Sequence, residues 1–354
     1  GTIHSFCSRL LRERPVEAGM APDFGEIEGL EETLLQERAW QEYLQYARVN
    51  NPAAFATLDR LDVRPQDLRE SFVELCMYPD VAIISQPCPY PDLSRLRDEL
   101  ASFMRSYASA LPRQEPDNGW DALQTVILRY LQWDRSFDLS QDRHLLRLLA
   151  RLDRKGDITQ KKWPDKDIAK RAQASYAILR ENHITPTLRC WREHRHHPLI
   201  QFLLPAVDYY RELRLREHKL NFQDLLMRSA DLLRHNVEVR QYFQRRFTHL
   251  LVDDFQDTDP IQAEVMMLLT ADNPAETDWQ LARPRAGSLF VVGDPKQSIY
   301  RFRRADISVY QQVKAQILRT GGSVLHLSTN FRSQPGVIHL ANNAFGQIFP
   351  TQAN

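Results

Sequence analysis

Three short segments of this 354-residue chain set polar chemistry at the end of an apolar run. The first is Leu250-Leu251-Val252-Asp253-Asp254-Phe255-Gln256-Asp257-Thr258. It delivers two adjacent carboxylates to the tip of a short apolar stretch. One carboxylate can hold Mg²⁺, directly or through water, because hard cations take oxygen ligands. The next can orient or deprotonate a water. The same residues also read as a plain strand-to-helix turn, with Asp257 or Thr258 as helix N-cap. The second segment follows Leu289-Phe290-Val291 and runs Val292-Gly293-Asp294-Pro295-Lys296-Gln297-Ser298-Ile299-Tyr300-Arg301-Phe302-Arg303-Arg304-Ala305-Asp306. Aromatic faces stack on bases and arginines reach phosphates. The alternative is a solvated basic helix with Tyr300 and Phe302 in the core. The third is Leu327-Ser328-Thr329-Asn330-Phe331-Arg332-Ser333. Arginine beside an aromatic suits a nucleotide, phosphate for one and adenine for the other. A helix start capped by Ser333, with Gln334-Pro335 following, reads equally well.

The elements that must position these residues follow from the periodicity. The apolar runs at 250–252, 289–292 and 324–327 have helical stretches between them. Short buried strands alternating with helices predict an α/β layer with a parallel sheet. Ligands of such sheets bind at the carboxyl ends of the strands, where all three runs carry their polar residues. From residue 32 to about residue 220 the pattern is helical instead. Apolar residues recur every three or four positions in 32–48, 66–76, 93–109, 121–133, 140–152, 165–181 and 199–216. Asn51-Pro52 and Pro116-Asp117-Asn118-Gly119 punctuate them. Residues 2–14 read as a strand end or turn leading into a short helix, and 15–31 as irregular and acidic. A helical domain beside a partial α/β domain is the expected organisation, helix-rich throughout.

Composition narrows the classes. A hydrophobic fraction of 43% and a charged fraction of 26% exclude a low-complexity or disordered chain. No apolar run approaches the roughly 18–20 residues of a membrane span, so no membrane role is expected. Cys7, Cys76, Cys88 and Cys190 are scattered, without C-x-x-C pairs, which fits a reducing cytosol and neither a disulfide framework nor a zinc site. With 46 basic and 46 acidic residues, net charge carries no nucleic-acid signal. A basic run at 151–171, with Trp163 inside it, could grip duplex DNA or be a solvated face with the ring packed. Cys190 and His194 lie one helical turn apart, and a surface helix is the expectation there rather than a metal site.

Together, order and wording resemble motifs II, III and IV of the UvrD/Rep class of superfamily 1 DNA helicases. Thr2-Ile3-His4-Ser5-Phe6 resembles that family's T-[FI]-H-[SG]-F segment, and Leu220-Asn221-Phe222-Gln223-Asp224-Leu225-Leu226 its L-D-F-x-D-L-L segment. The long stretch between His4 and Phe222, and the wording G-D-P-K-Q-S-I-Y-R-F-R-x-A-D, point to the RecB/AddA branch. The resemblance implies a P-loop, RecA-like motor with a large all-α insert. Residues 1–14 and 220–322 would belong to the first motor domain, 15–219 to the insert and 323–354 to the start of the second motor domain. It implies ATP and Mg²⁺ as cofactors, single-stranded and duplex DNA as partners, a helicase–nuclease partner subunit, 3′→5′ movement and a cytoplasmic location.

Roles follow position by position from the same resemblance. Asp253 would bind Mg²⁺, and Asp254 stands where the family has its catalytic glutamate. Gln256 and Gln297 would link the γ-phosphate to the DNA site. Arg332 would contact the γ-phosphate and Phe331 would stack on adenine. Tyr300, Phe302 and Arg303 would meet single-stranded DNA, as would Thr2 and His4. Asp224 is expected to cap or pair. Two departures stand out. No G-x-x-x-x-G-K-[ST] and no Gly-Lys dipeptide occur in the sequence, so an excised, inactive piece of a longer enzyme is expected. Asp254 is also one methylene shorter than glutamate, which withdraws its carboxylate by about 1.5 Å. A degenerate, non-hydrolysing module that binds DNA or a partner is the alternative function.

Overall fold

The computed structural model describes residues 1–327, 329–346 and 348. The chain divides into two compact units. One is Asp23–Asp224, and the other joins Gly1–Pro22 to the chain from Leu225 onward.

The first unit is helical. Its helices are α2 (Gly29–Asn50), α3 (Pro52–Arg60), α4 (Arg69–Cys76), α5 (Ser94–Tyr107), α6 (Ala122–Ser136), α7 (Asp142–Leu152), α8 (Lys166–Leu179) and α9 (Thr185–Arg216). Each periodic stretch of the sequence lies on one of them. Asn51-Pro52 proves to be a helix start as well as a break. The Asn51 side chain accepts from the Ala54 amide, and Pro52 takes the first turn, where its missing N–H costs nothing. Asp121 opens α6 with a reciprocal capping box to Gln124. Between α8 and α9 a π-turn at Arg180–Ile184 widens the helix. Asp153 fastens it, accepting from Arg180 at 3.2 Å and Thr185 at 2.8 Å. Pro198 and Pro205 both sit inside α9 without ending it.

A single apolar core holds this unit. Trp40 stacks on Phe72 at 5.0 Å and meets Phe202 edge-on, while the Tyr43 hydroxyl donates to the Phe202 carbonyl at 2.7 Å. The segment read as irregular forms a two-residue strand β1 (Gly25–Glu26), paired in parallel with β2 (Lys219–Leu220). Asp224 pairs, as its place in an apolar helix suggests. It accepts from Arg214 at 2.6 and 2.9 Å and from the Asn221 amide at 3.2 Å.

The second unit carries the α/β layer. It contains α1 (Ile3–Glu13), most of α10 (Phe222–His235), α11 (Val237–Arg246), β3 (Leu250–Val252), α12 (Pro260–Thr270), β4 (Leu289–Val291), α13 (Ile307–Arg319) and α14 (Pro335–Phe345). Strands β3 and β4 pair in parallel, Leu250 with Leu289 and Val252 with Val291. Phe255, Met266, Met267, Val309 and Val313 form the core beneath them. The short helix expected in residues 2–14 is α1, and one of its two expected entries, together with the third strand, is corrected. Residues 2–14 contain no strand end, because Thr2 caps α1 directly by accepting from the Ser5 amide. The run at 324–327 is not a strand: among the described residues it pairs with nothing. An apolar run becomes a strand only beside a neighbour that takes its backbone hydrogen bonds.

Candidate active site at the strand tips

The polar residues after β3 and β4 converge because the two strands are parallel and in register. Their carboxyl ends therefore lie side by side. The Val292 amide donates to Val252 O at 2.8 Å, and the Phe255 amide donates back to Val292 O at 2.9 Å. Beyond these bonds the chains separate into a network of side chains.

Gln256 is its hub. Buried, it donates from Nε2 to Asp254 Oδ1 at 3.3 Å and accepts the Asp294 amide on Oε1 at 3.0 Å. Asp294 in turn accepts from Gln297 Nε2 at 3.0 Å and from the Lys296 amide at 3.0 Å. Ser298 closes the ring by donating to the Gln256 carbonyl at 3.0 Å. Gly293 is required by this close approach. A Cβ there would stand 2.8 Å from Gln256 Oε1 and 3.1 Å from the Gln256 amide. Sequence reasoning did not single out Asp294 or Gly293. The Gly-Asp pair directly after a strand was the available signal.

The two carboxylates differ in setting. Asp253 is exposed and accepts the Asp254 amide at 3.0 Å. Asp254 has φ 53°, in the left-handed region. Asp tolerates that region better than most residues because its short side chain can bond locally. Asp257 is pushed upward in pKa by burial first and then by the Asp254 charge. Neither Asp257 nor Thr258 caps α12. Asp259 does, accepting from the Gln262 amide at 2.7 Å. Among the described residues no cage of three or more His, Cys, Asp or Glu side chains exists. Asp253 with Asp254 is an open donor set. That suits Mg²⁺, which keeps several waters and binds through one or two carboxylates plus phosphate oxygens.

Past Gln297 the chain presents its aromatic pair. Tyr300 and Phe302 lie 5.8 Å apart, ring to ring. They are 37% and 69% exposed, so neither is a core residue. The Arg303 side chain lies outside the described residues, and so does Ser328 of the third segment. Phe331 and Arg332 are exposed. Among the described residues no hydrogen bond or ion pair ties their side chains to the tips of β3 and β4. The Asn330 side chain organises their turn by accepting from the Arg332 and Ser333 amides at 2.9 and 3.0 Å. Ser333 is not a cap: Gln334 precedes α14, with Pro335 at its first position. On α1, His4 is half-buried, and burial lowers its pKa against the opposing pull of Asp259.

In the basic run at 151–171 the ring is packed, while Arg151, Arg154, Lys155, Lys161, Lys166, Lys170 and Arg171 are exposed. Trp163 is buried and donates to Asp121 at 2.7 Å. Lys162 is committed to the Asn118 and Gly119 carbonyls at 2.9 and 2.8 Å. Cys190 is exposed on α9, while His194 donates to the Cys88 carbonyl at 2.7 Å.

Comparison with known proteins adds an independent line. The UvrD/REP helicase N-terminal domain matches residues 1–317. An ATP-dependent helicase/nuclease subunit from Listeria monocytogenes serovar 1/2a is 26% identical over 98% of this chain and 31% of its own length. Its namesake from Streptococcus pyogenes serotype M49 is 30% identical over 42% of this chain and 11% of its own. The chain thus spans about a third of the length of the curated relatives that it matches end to end.

Proposed function

Because this chain belongs to the UvrD/REP helicase family, we propose that it forms part of an ATP-driven motor that moves along single-stranded DNA and unwinds duplex. The names of its relatives support a helicase–nuclease setting with a partner subunit; a role in DNA repair or recombination and a cytoplasmic location rest on the resemblance alone. The 3′→5′ direction rests on the resemblance alone.

The observation that carries this reading is the Gln256–Asp294–Gln297 network. It joins the carboxylate tip of β3 to the segment that presents Tyr300 and Phe302. A nucleotide-dependent shift at the first would therefore reach the second through short, directional bonds. In this reading Asp253 would hold Mg²⁺, which would supply charge neutralisation for phosphoryl transfer. Asp254 orients and deprotonates the attacking water. Gln256 and Gln297 sense the γ-phosphate, Arg332 contacts it and Phe331 stacks on adenine. Tyr300 and Phe302 stack on bases, with Arg303, Thr2 and His4 completing the DNA contact. Residues 1–14 and 220–322 would then be motor, 15–219 insert and 323–354 the start of a second motor domain.

The 354 residues hold no glycine-rich phosphate loop with its lysine. Nucleotide would lack most of its anchoring contacts, so this polypeptide alone is expected neither to hydrolyse ATP nor to unwind DNA. A second reading, a non-hydrolysing DNA-binding module, is favoured by one observation. The short carboxylate of Asp254 is already engaged by Gln256. Gln297→Ala in the full-length parent separates the two readings. The motor reading expects stimulation of ATP turnover by single-stranded DNA to fall at least tenfold, and by more than basal turnover falls. A parent that binds single-stranded DNA but shows no ATP turnover, with or without the substitution, would favour the second reading.

A further inference from the structure

A cavity of about 190 Å³ opens in the helical unit, far from any of the motifs above in sequence. Its rim is cationic: Arg60 from the end of α3, Arg143 and Arg147 from α7, and Arg192 and Arg195 from α9. The one carboxylate in the lining is Asp62, so five positive groups face one negative group, a formal excess of four. Asp62 sits at φ 56° and is taken up in a two-pronged pair with Arg147. Hydrogen bonding to Arg147 holds its carboxyl below the usual range, with the Arg147, Arg195 and Arg143 charges adding to the effect.

The other cations are not neutralised in this way. Among the described residues no ion pair engages Arg143, Arg192 or Arg195. Arg195 Nε is buried without a hydrogen-bond partner, an arrangement that is unfavourable unless an acceptor arrives. Arg60 donates to Thr57 at 2.9 Å, and an arriving phosphate would supply the acceptor that Arg195 lacks.

The remaining walls are apolar side chains, with His194 stacked on Trp191 at 5.7 Å and the Arg195 guanidinium 5.6 Å from the Trp191 ring centre. Trp191 is buried beside Leu188 and Leu146, with Tyr90 edge-on to it at 5.5 Å. Tyr90 comes from the extended, proline-rich segment that lies along α9. Ser85 meets His197 there at 3.1 Å, and Cys88 accepts from His194 at 2.7 Å.

We propose that this cavity is a nucleotide-phosphate site: the arginines take a phosphate ester and the Trp191–Tyr90 corner takes one edge of its base. The volume is below the roughly 300–1,000 Å³ of pockets that enclose a whole ligand. The phosphate and ring edge therefore enter while the rest stays outside. The same chemistry is offered by a free nucleotide and by the phosphorylated end of a nucleic-acid strand.

The test is calorimetric titration of the 354-residue chain at low salt with AMP, with inorganic phosphate, and with one short oligonucleotide carrying either a 5′-phosphate or a 5′-hydroxyl. Arg143→Ala/Arg192→Ala removes two exposed cations of the rim. Arg105→Ala/Arg135→Ala removes the same charge elsewhere on the unit. The site expects AMP to bind more tightly than inorganic phosphate. It expects AMP affinity to fall roughly tenfold or more in the rim variant and to stay within about twofold in the control. Trp191→Phe should weaken AMP and leave inorganic phosphate unchanged. A 5′-phosphate oligonucleotide that outbinds both AMP and its hydroxyl twin assigns the site to strand ends; one that does not assigns it to free nucleotide. Absence of AMP binding, equal affinity for AMP and phosphate, or equal losses in the two double variants would overturn the proposal.

Discussion

The helical unit and the α/β unit spend their apolar residues differently. In the helical unit, Trp40, Phe72, Phe202, Tyr176 and Tyr210 are all buried in one continuous core. In the α/β unit only alternate strand residues reach a core. Leu250, Val252, Leu289 and Val291 pack against it, whereas Leu251 and Phe290 remain 74% and 56% exposed. Parallel sheets are ordinarily covered on both faces. In β3 and β4, by contrast, one face is packed and the other is exposed. The chemistry follows the same division. Groups at the tips of β3 and β4 belong to a layer that is held on one side, and their positions rest on hydrogen bonds more than on packing.

Thiol chemistry tests that contrast first and with the largest effect. Cys7 lies in the α/β unit and Cys76 in the helical unit, and burial pushes both thiols up to about 12. Because the thiolate is the nucleophile, both should alkylate roughly 10³-fold more slowly than a free cysteine at neutral pH. Exposed Cys190 should label in the native state. As urea rises, Cys7 should become reactive before Cys76. The reverse order, read by mass spectrometry, would break the comparison.

Arg214→Ala should be the most damaging single substitution in the helical unit. It strands the buried Asp224 carboxylate and should cost about 3–5 kcal/mol in chemical denaturation. Gly293→Ala forces a methyl group against Gln256, and about 1–3 kcal/mol is expected there, with loss of the network between the strand tips. An unchanged Gly293→Ala protein would mean that the tips are slack. Phe302→Ala should shift stability by less than about 0.5 kcal/mol, being exposed. In the full-length parent it should nevertheless weaken single-strand binding roughly ten- to a hundredfold on any sequence. Destabilisation with intact affinity would return Phe302 to a packing role.

The sequence showed the helices because their apolar residues repeat at helical spacing over long stretches. It showed β3 and β4 for a different reason, a short apolar run stopped by polar residues. The run at 324–327 has the same pattern and is no strand, since pairing depends on a neighbour that a local pattern does not reveal. The caps were legible but misread. Asp259 precedes Pro260 and Gln334 precedes Pro335, and the residue before a proline is held extended, which is where a helix begins. Exposure of Tyr300 and Phe302 was undecidable from a stretch that alternates aromatics and arginines. The Gln256–Asp294 bond and the arginine-rimmed cavity are assembled from segments distant in the chain, so neither leaves a contiguous signature.

Asp253 offers the most direct measurement of the central claim. The full-length parent and its Asp253→Ala variant are compared for ATP turnover with and without single-stranded DNA. The account expects DNA-stimulated turnover that falls at least about 100-fold in the variant, since phosphoryl transfer depends on metal and positioning, with an unchanged melting temperature because Asp253 is exposed. Equal turnover in the two proteins would contradict it.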